Sequence, residues 1–308
     1  MGIGFIFPGQ GAQEVGMLDD LRAEESILDE RLSEASDILG FDLGDVIRNG
    51  PEARLSQTSV TQPALLVVSV ALFEIWCAHR GAAPTIMAGH SLGEYSAFTA
   101  AGSLQFNDAV KLVHERGKLM ESAVPDGQGA MAAILGLDDE LVSSICDETD
   151  GVVSPANMNA PGQVVISGEI SAVDKAMAEC SEAGARRAVK LNVSGPFHCQ
   201  LMTPAAGELE TLLEEVEVKV PEIPVVHNVD ASLAADAAGI RDRLVRQLSA
   251  PVRWTKCVET LLATGATSVV ECGPGKVLTG LLRRIDRSVD AFPIGSVVEL
   301  SAALDGIE

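Results

Sequence analysis

The apolar residues of this chain fall into two patterns: short continuous runs closed by glycine or proline, and longer stretches with an apolar residue every three or four positions. The first pattern reads as buried strands and the second as helices packed by one face. Ile3 to Phe7 is a strand ending in the turn Pro8-Gly9-Gln10-Gly11. Residues 24–39 carry Ile27, Leu28, Leu32, Ala35 and Leu39 at helical spacing. Gln62 to His79 is a strongly apolar helix opened by Pro63, a residue suited to an early helical position. Pro84 to Met87 is a short apolar stretch before Ala88-Gly89-His90-Ser91-Leu92-Gly93-Glu94, and an alanine-rich helical stretch follows. Gln105 to Ala123 places Ala109, Leu112, Val113, Arg116, Leu119 and Met120 in helical register and ends at Val124-Pro125-Asp126-Gly127.

From there to position 197 the rhythm shortens. Ala130 to Leu135 reads as a strand, Asp138 to Thr149 as a helix, Val152 to Ala156 and Gln163 to Ser167 as strands, Ser171 to Ala183 as a helix, and Ala185 to Leu191 as a strand. The order β-α-β-β-α-β is the ferredoxin-like arrangement, and it closes on itself as an insert would. Beyond it, Leu209 to Val218, Gly239 to Leu248 and Thr255 to Thr264 read as helices, and Pro224 to Asn228 as a strand. Thr267 to Glu271 is a strand running into Cys272-Gly273-Pro274-Gly275, followed by a Gly275 to Ile285 helix and a short strand near Ala291 to Ile294. Strands alternating with helices of this length predict an α/β fold with a parallel, helix-covered sheet. The expected organisation is a main domain of residues 1–125 and 198–308, with a ferredoxin-like insert of residues 126–197.

Composition narrows the class. With 47% apolar and 21% charged residues over 308 positions, the chain has the make-up of a globular protein with a large core. Its formal net charge of −22 argues against a general nucleic-acid binder and against docking on an anionic membrane. The longest apolar run, near Ala64 to Cys77, is interrupted by Ser69 and Glu74 and is shorter than a membrane span. Met1 to Pro8 lacks the length and basic start of a signal peptide. The six scattered cysteines form no C-x-x-C pair and have no metal-ligand company. The expectation is a cytoplasmic protein with reduced thiols and no metal site.

Candidate chemistry begins at Gly89-His90-Ser91-Leu92-Gly93. A G-x-S-x-G match between a strand and a helix describes a tight turn that pushes a serine Oγ outward, with helix-start amides facing a developing oxyanion. Ser91 is the candidate nucleophile. Of the five histidines, His79 reads as a charge at a helix end, His114 as a solvated side chain and His90 as structural, because the elbow directs neighbouring side chains apart. His227, at a strand end, could pass for a site residue. His198 lies in the rigid turn Ser194-Gly195-Pro196-Phe197-His198-Cys199 where the insert rejoins the main domain, and it is either the base or a turn histidine bonded to backbone. No acidic residue between Ser91 and His198 stands out as its orienting partner, and a carbonyl or amide is the alternative. Arg116 is either part of a charged helical face or an inward clamp for an acidic acyl group. The turns Gly9-Gln10-Gly11 and Gly273-Pro274-Gly275-Lys276 match neither G-x-G-x-x-G nor a P-loop, and both are candidates to line a pocket. An exposed amide at Gln10 could pair with that of Leu92 to complete an oxyanion hole.

Taken together, Phe7-Pro8-Gly9-Gln10-Gly11, Gly89-His90-Ser91-Leu92-Gly93-Glu94, Arg116-Gly117, Asn157 with Pro161 to Gly168, Gly195-Pro196-Phe197-His198 and Gly273-Pro274-Gly275-Lys276 resemble the malonyl-CoA:acyl-carrier-protein transacylases of bacterial fatty-acid synthesis. The likeness runs through nearly the whole chain in order. It implies an α/β-hydrolase-like domain with a ferredoxin-like insert. It also implies a serine–histidine pair without a carboxylate: Ser91 as nucleophile, His198 as base and then acid, the Gln10 and Leu92 amides as oxyanion hole. Arg116 would bind the malonyl carboxylate, and Gln247 would match the glutamine whose backbone carbonyl orients the histidine. His90 and Asn157 correspond to pocket residues, and Phe197 to a bulky residue that excludes branched acyl groups. The implied reaction is a ping-pong transfer from malonyl-CoA, through a malonyl-serine ester, to the phosphopantetheine thiol of holo acyl carrier protein, by a monomer needing no cofactor. Arg186, Arg187 and Lys190 are candidates for docking that acidic partner, or simply a solvated strand face. A serine hydrolase would share Ser91 and His198 without needing Arg116, a discrete polyketide acyltransferase shares every motif, and a non-catalytic scaffold would make all three residues coincidental.

Overall fold

The computed structural model describes residues 2–125 and 127–307 of the chain. Five parallel strands form the main sheet: β1 (Gly2–Phe7), β2 (Ile86–Gly89), β7 (Val225–Val226), β8 (Ala266–Glu271) and β9 (Asp290–Pro293), in the order β7-β2-β1-β8-β9. The strands alternate as a two-sided sheet requires. Phe5 and Phe7 of β1, Met87 of β2 and Val270 of β8 point into one core with the Thr58–Ala78 helix. Ile6, Ala88 and Val269 point into a second core, against the helices Trp254–Ala263 and Val277–Ile285. Gly89 is paired with Phe7, so β1 and β2 end side by side at the carboxyl edge of the sheet, where open α/β sheets place ligands.

The second sheet is antiparallel: β3 (Gly129–Leu135), β4 (Val153–Ala160), β5 (Gln163–Glu169) and β6 (Arg187–Lys190), in the order β4-β5-β3-β6. Helices Asp139–Glu148 and Ile170–Glu182 cover one face, packing Val142, Cys146, Val173 and Ala176 on Ala132, Ile134, Val164 and Ile166. The alternate residues Met131 and Val165 face the main core instead. The β-α-β-β-α-β order expected from the sequence is present. Asp126, the expected first residue of the insert, lies outside the described residues.

Several elements differ from their sequence reading. The central helix begins at Thr58, with Pro63 inside it. Pro63 has no N–H to offer the carbonyl of Ser59, and His114 supplies the missing donor through Nδ1 at 2.7 Å. His114 is therefore tied to backbone and half-buried, not a solvated side chain. With its extra turn this helix is, by length and composition, long enough to cross a membrane, contrary to the expectation from the apolar run; most of it is buried in the main core. Residues 24–39 split into Asp19–Glu24 and Ser26–Leu39. The helix expected at Leu209 to Val218 runs from Thr203 to Glu214, opened by Pro204 in its first turn. The strand expected at Pro224 to Asn228 is only Val225–Val226, and His227 and Asn228 leave it. β4 extends to Ala160, which carries Asn157 and Asn159 into the sheet. Three helices lack an apolar period long enough to be read: Leu43–Asn49, Glu52–Leu55 and Val297–Gly306.

Candidate active site

The elbow is built from close backbone contacts. A Cβ on Gly89 would lie 1.9 Å from the carbonyl of Gly93, and one on Gly93 would lie 2.0 Å from the Phe7 carbonyl oxygen, so only glycine fits either position. Between them Ser91 adopts φ 53°, ψ −108°, a strained conformation for an L residue, and the Leu92–Ala100 helix starts immediately after it. Such a turn raises Oγ off the sheet edge and aims the first helical amides at the same space. The Ser91 amide itself is taken, donating to Asn228 Oδ1 at 2.7 Å. Among the described residues the amides of Gln10 and Leu92 have no acceptor, and both residues line the cavity that holds Ser91.

His198, also at positive φ (58°), stands over Ser91 with Nε2 2.7 Å from its Oγ. Its Nδ1 is 2.8 Å from the backbone carbonyl of Gln247. A carbonyl only accepts, so Nδ1 carries the proton and Nε2 presents its lone pair to the serine. His198 is 3% exposed. Burial, and then the Arg116 cation, push its pKa down to about 3, while the Gln247 carbonyl opposes them. The imidazole is neutral and competent as a base.

Arg116 is fully buried, at 0% exposure, on the Phe106–Ser122 helix. Gly117 makes that possible: a Cβ there would lie 2.6 Å from Ser59 Cα, so the two helices approach closely at this point. One guanidinium nitrogen donates to Gln62 Oε1 at 2.8 Å, and the other to Gln247 Oε1 at 2.8 Å and towards Ser91 Oγ at 3.3 Å. Nε has no partner, and the cation lies 5.1 Å from the centre of the Tyr95 ring. Burial holds the Tyr95 phenol at about 12, so it stays neutral. Glu94 is occupied elsewhere, accepting from His227 Nδ1 (2.6 Å), the Asn228 amide (3.0 Å) and Gln247 Nε2 (2.8 Å). Among the described residues Arg116 has no ion-pair partner. Desolvation lowers its pKa, a sign of how much a buried guanidinium gains from an anion.

Ser91, His198 and Arg116 share a cavity of about 130 Å³ with Gln10, Leu92, Phe197, His90 and Asn157. Met120, Met131, Leu191 and Val193 supply its apolar wall. His90 Nε2 pairs with Asn159 Oδ1 at 2.8 Å, and burial lowers its pKa. His227 is fully buried against Glu94 and does not reach this cavity. His79 caps its helix and contacts Glu25 at 2.6 Å. The Gly273 turn packs behind the site: a Cβ on Gly273 would lie 2.2 Å from Pro8 Cγ, so it supports the Gln10 turn without lining the cavity. Arg186, Arg187 and Lys190 are exposed on and beside β6, and Lys190 is paired with Asp174 at 2.7 Å. No group of three or more His, Cys, Asp or Glu suited to a metal ion occurs among the described residues. Gln62, Glu94, Asn159 and Asn228 also build the site, although no motif in the sequence assigns them a role. Only Glu94 leaves a signal, as the one charged residue of its helix.

A family model described as the acyl transferase domain matches residues 4–300. The chain is 52% identical over 303 residues to the malonyl CoA-acyl carrier protein transacylase of Escherichia coli (strain K12), with 98% of each chain covered. It is 41% identical over 309 residues to that of Bacillus subtilis (strain 168), covering 99% of this chain and 97% of the relative. Among solved structures, a malonyl-transacylase in a holo complex with its type II PKS acyl-carrier protein superposes with a TM-score of 0.98 at 48% identity, over 99% of this chain and 100% of that one. An acyl carrier protein S-malonyltransferase from Vibrio cholerae O1 gives a TM-score of 0.96 at 49% identity, over 98% and 99%. Geometry and likeness agree: the chain belongs to the acyl transferase domain family, among its malonyl CoA-acyl carrier protein transacylases.

Proposed function

We propose that this acyltransferase moves a malonyl group from malonyl-CoA to the phosphopantetheine thiol of acyl carrier protein, through an ester on Ser91. The carrying observation is the Arg116 cation, buried without an anionic partner 3.3 Å from the hydroxyl that His198 activates. A free carboxylate on the acyl group would pair with that cation, and an acetyl group has no charge to offer it. His198 Nε2 takes the Ser91 proton as Oγ attacks the thioester carbonyl. The oxyanion forms against the Gln10 and Leu92 amides. Collapse breaks the carbon–sulfur bond, and His198 returns the proton to the departing coenzyme A thiolate. In the second half the carrier's thiol gives its proton to His198 and attacks the ester carbonyl, and Ser91 leaves with that proton. The Gln247 carbonyl holds the imidazole through both halves.

His90 and Asn157 are read as walls of the pocket, and Phe197 as the side chain that excludes a branched acyl group. The parallel sheet is read as an α/β-hydrolase-like domain, residues 1–125 and 198–308, and the β3-to-β6 unit as a ferredoxin-like insert, residues 126–197. Ser91, His198 and Arg116 all come from one chain, which supports a monomer as the working unit. Six free cysteines, five of them buried, favour a reducing, cytoplasmic setting. Product analysis tests the reading. Incubation with malonyl-CoA and holo acyl carrier protein should give malonyl-carrier and free coenzyme A with parallel double-reciprocal lines. Free malonate as the main product would make the protein a hydrolase.

A further inference from the structure

We infer that Asn228 is a positioning residue for the nucleophile, clasping the Ser91 elbow from both sides with one carboxamide; the inference rests on the Ser91 chemistry proposed above. Asn228 is fully buried, at 0% exposure. Its Oδ1 accepts from the Ser91 amide at 2.7 Å, and its Nδ2 donates to the Gly89 carbonyl at 2.7 Å. The two bonds bracket His90, and one of them ends on the amide of Ser91, the residue held at φ 53°. Asn228 is itself pinned: its amide donates to Glu94 Oε2 at 3.0 Å, and its carbonyl accepts from the Arg253 amide at 3.0 Å.

This arrangement has two chemical consequences. A strained conformation persists only where its surroundings over-determine it, and without the clasp the elbow can relax and lower Oγ away from Nε2 of His198. The clasp also withdraws the Ser91 amide from the pocket, leaving the Gln10 and Leu92 amides as the donors available to an oxyanion. Glu94 ties this device to the rest of the site, since its Oε2 also accepts from Gln247 Nε2 at 2.8 Å. Nucleophile, base and acyl clamp are thus referenced to one buried carboxylate. Asn228 lies outside the cavity lining, so its effect should fall on rate and not on binding.

The test compares the wild type, Asn228→Ala and Asn228→Asp in acylation by malonyl-CoA and in labelling of Ser91 by an alkyl fluorophosphonate, which needs no carboxylate clamp. Misplacement of Oγ should slow both reactions of Asn228→Ala by about a hundredfold. Affinity for malonyl-CoA, measured in a Ser91→Ala background, should stay within a factor of about two with and without Asn228→Ala. Asn228→Asp keeps the shape of the side chain. Ionised, it loses the donor to Gly89; protonated, its O–H restores it. Its rate relative to wild type should therefore rise as pH falls from 8 to 5. The titratable or charged groups around that site are Glu94, His227, Cys257, Asp230, Arg253 and His90, with Arg116 and His198 reached through Gln247 and Ser91, and all are common to both proteins.

Fluorophosphonate rates within about threefold of wild type for both variants, or losses with no pH-dependent recovery in Asn228→Asp, would overturn the assignment. Slow fluorophosphonate labelling of both variants with that recovery supports it even if Asn228→Ala folds poorly. If malonyl-CoA fails to acylate the wild type while the fluorophosphonate difference holds, the malonyl reading falls and the role of Asn228 stands.

Discussion

Gln247 holds His198 through its backbone and Arg116 through its side chain: the carbonyl accepts from Nδ1 at 2.8 Å and Oε1 accepts from the guanidinium at 2.8 Å. The proton transfer proposed for His198 and the acyl recognition proposed for Arg116 should therefore separate in large part by mutation, although Nε2 of the Gln247 side chain also donates to the Ser91 carbonyl at 2.9 Å. Gln247→Ala keeps the carbonyl and loses the amide. A hydrogen bond to a charged group contributes about 1.5–3 kcal/mol, so KM for malonyl-CoA should rise roughly tenfold to a hundredfold. The fall in kcat should be smaller, and steady-state kinetics over a range of malonyl-CoA checks the split.

Arg116→Ala removes the cation that the acyl carboxylate would meet. Breaking a buried pair from one side costs about 3–5 kcal/mol, so kcat/KM for malonyl-CoA should fall by at least about a hundredfold. The same variant should gain on acetyl-CoA relative to malonyl-CoA. A competition assay with both thioesters reads the ratio, and unchanged selectivity would remove Arg116 from acyl recognition.

The depressed pKa of His198 carries a pH signature. Folding lowers it from 6.5 to about 3, so the unfolded chain binds the extra proton in that interval. The stabilising contribution is complete above pH 6.5 and is lost as pH falls towards 3, with a slope of at most about 1.4 kcal/mol per unit. Urea denaturation of wild type and His198→Ala between pH 7 and pH 4 should show the steeper loss in the wild type. The free enzyme's acylation should likewise show no acidic limb near pH 6.5, because Nε2 is still unprotonated there.

Much of this site is legible in the sequence because its parts are local. Ser91 is announced by glycines whose absent Cβ atoms allow the elbow, and His198 by the rigid Gly195-Pro196 turn before it. The parallel sheet follows from apolar runs of strand length, and the insert from its β-α-β-β-α-β order. The polar frame behind the serine is not local. Glu94, Asn228 and Gln247 are brought together over 134 to 153 residues of chain, and no periodicity marks such a meeting. The role of His114 is hidden for a similar reason: it depends on a carbonyl that Pro63 leaves unsatisfied on another helix. Residues 203–208 lack the apolar repeat of a core-facing helix, so the start of Thr203–Glu214 is carried by the position of Pro204 alone.

Carrier docking should be separable from acylation. Arg186 and Arg187 are exposed beside an otherwise acidic molecule, while Lys190 is engaged by Asp174. Reversing both arginines to glutamate should raise KM for holo acyl carrier protein by about tenfold and leave Ser91 acylation by malonyl-CoA unchanged. Single-turnover acylation and steady-state transfer, measured on the same protein, distinguish the two steps.

The proposed reaction turns on a malonyl ester on Ser91 that a carrier thiol discharges. Intact mass after brief exposure to malonyl-CoA tests it most directly, with Ser91→Ala alongside. The wild type should gain one malonyl group, absent from the variant and removed by holo acyl carrier protein. No adduct while free malonate accumulates, or an adduct that persists in Ser91→Ala, would contradict it.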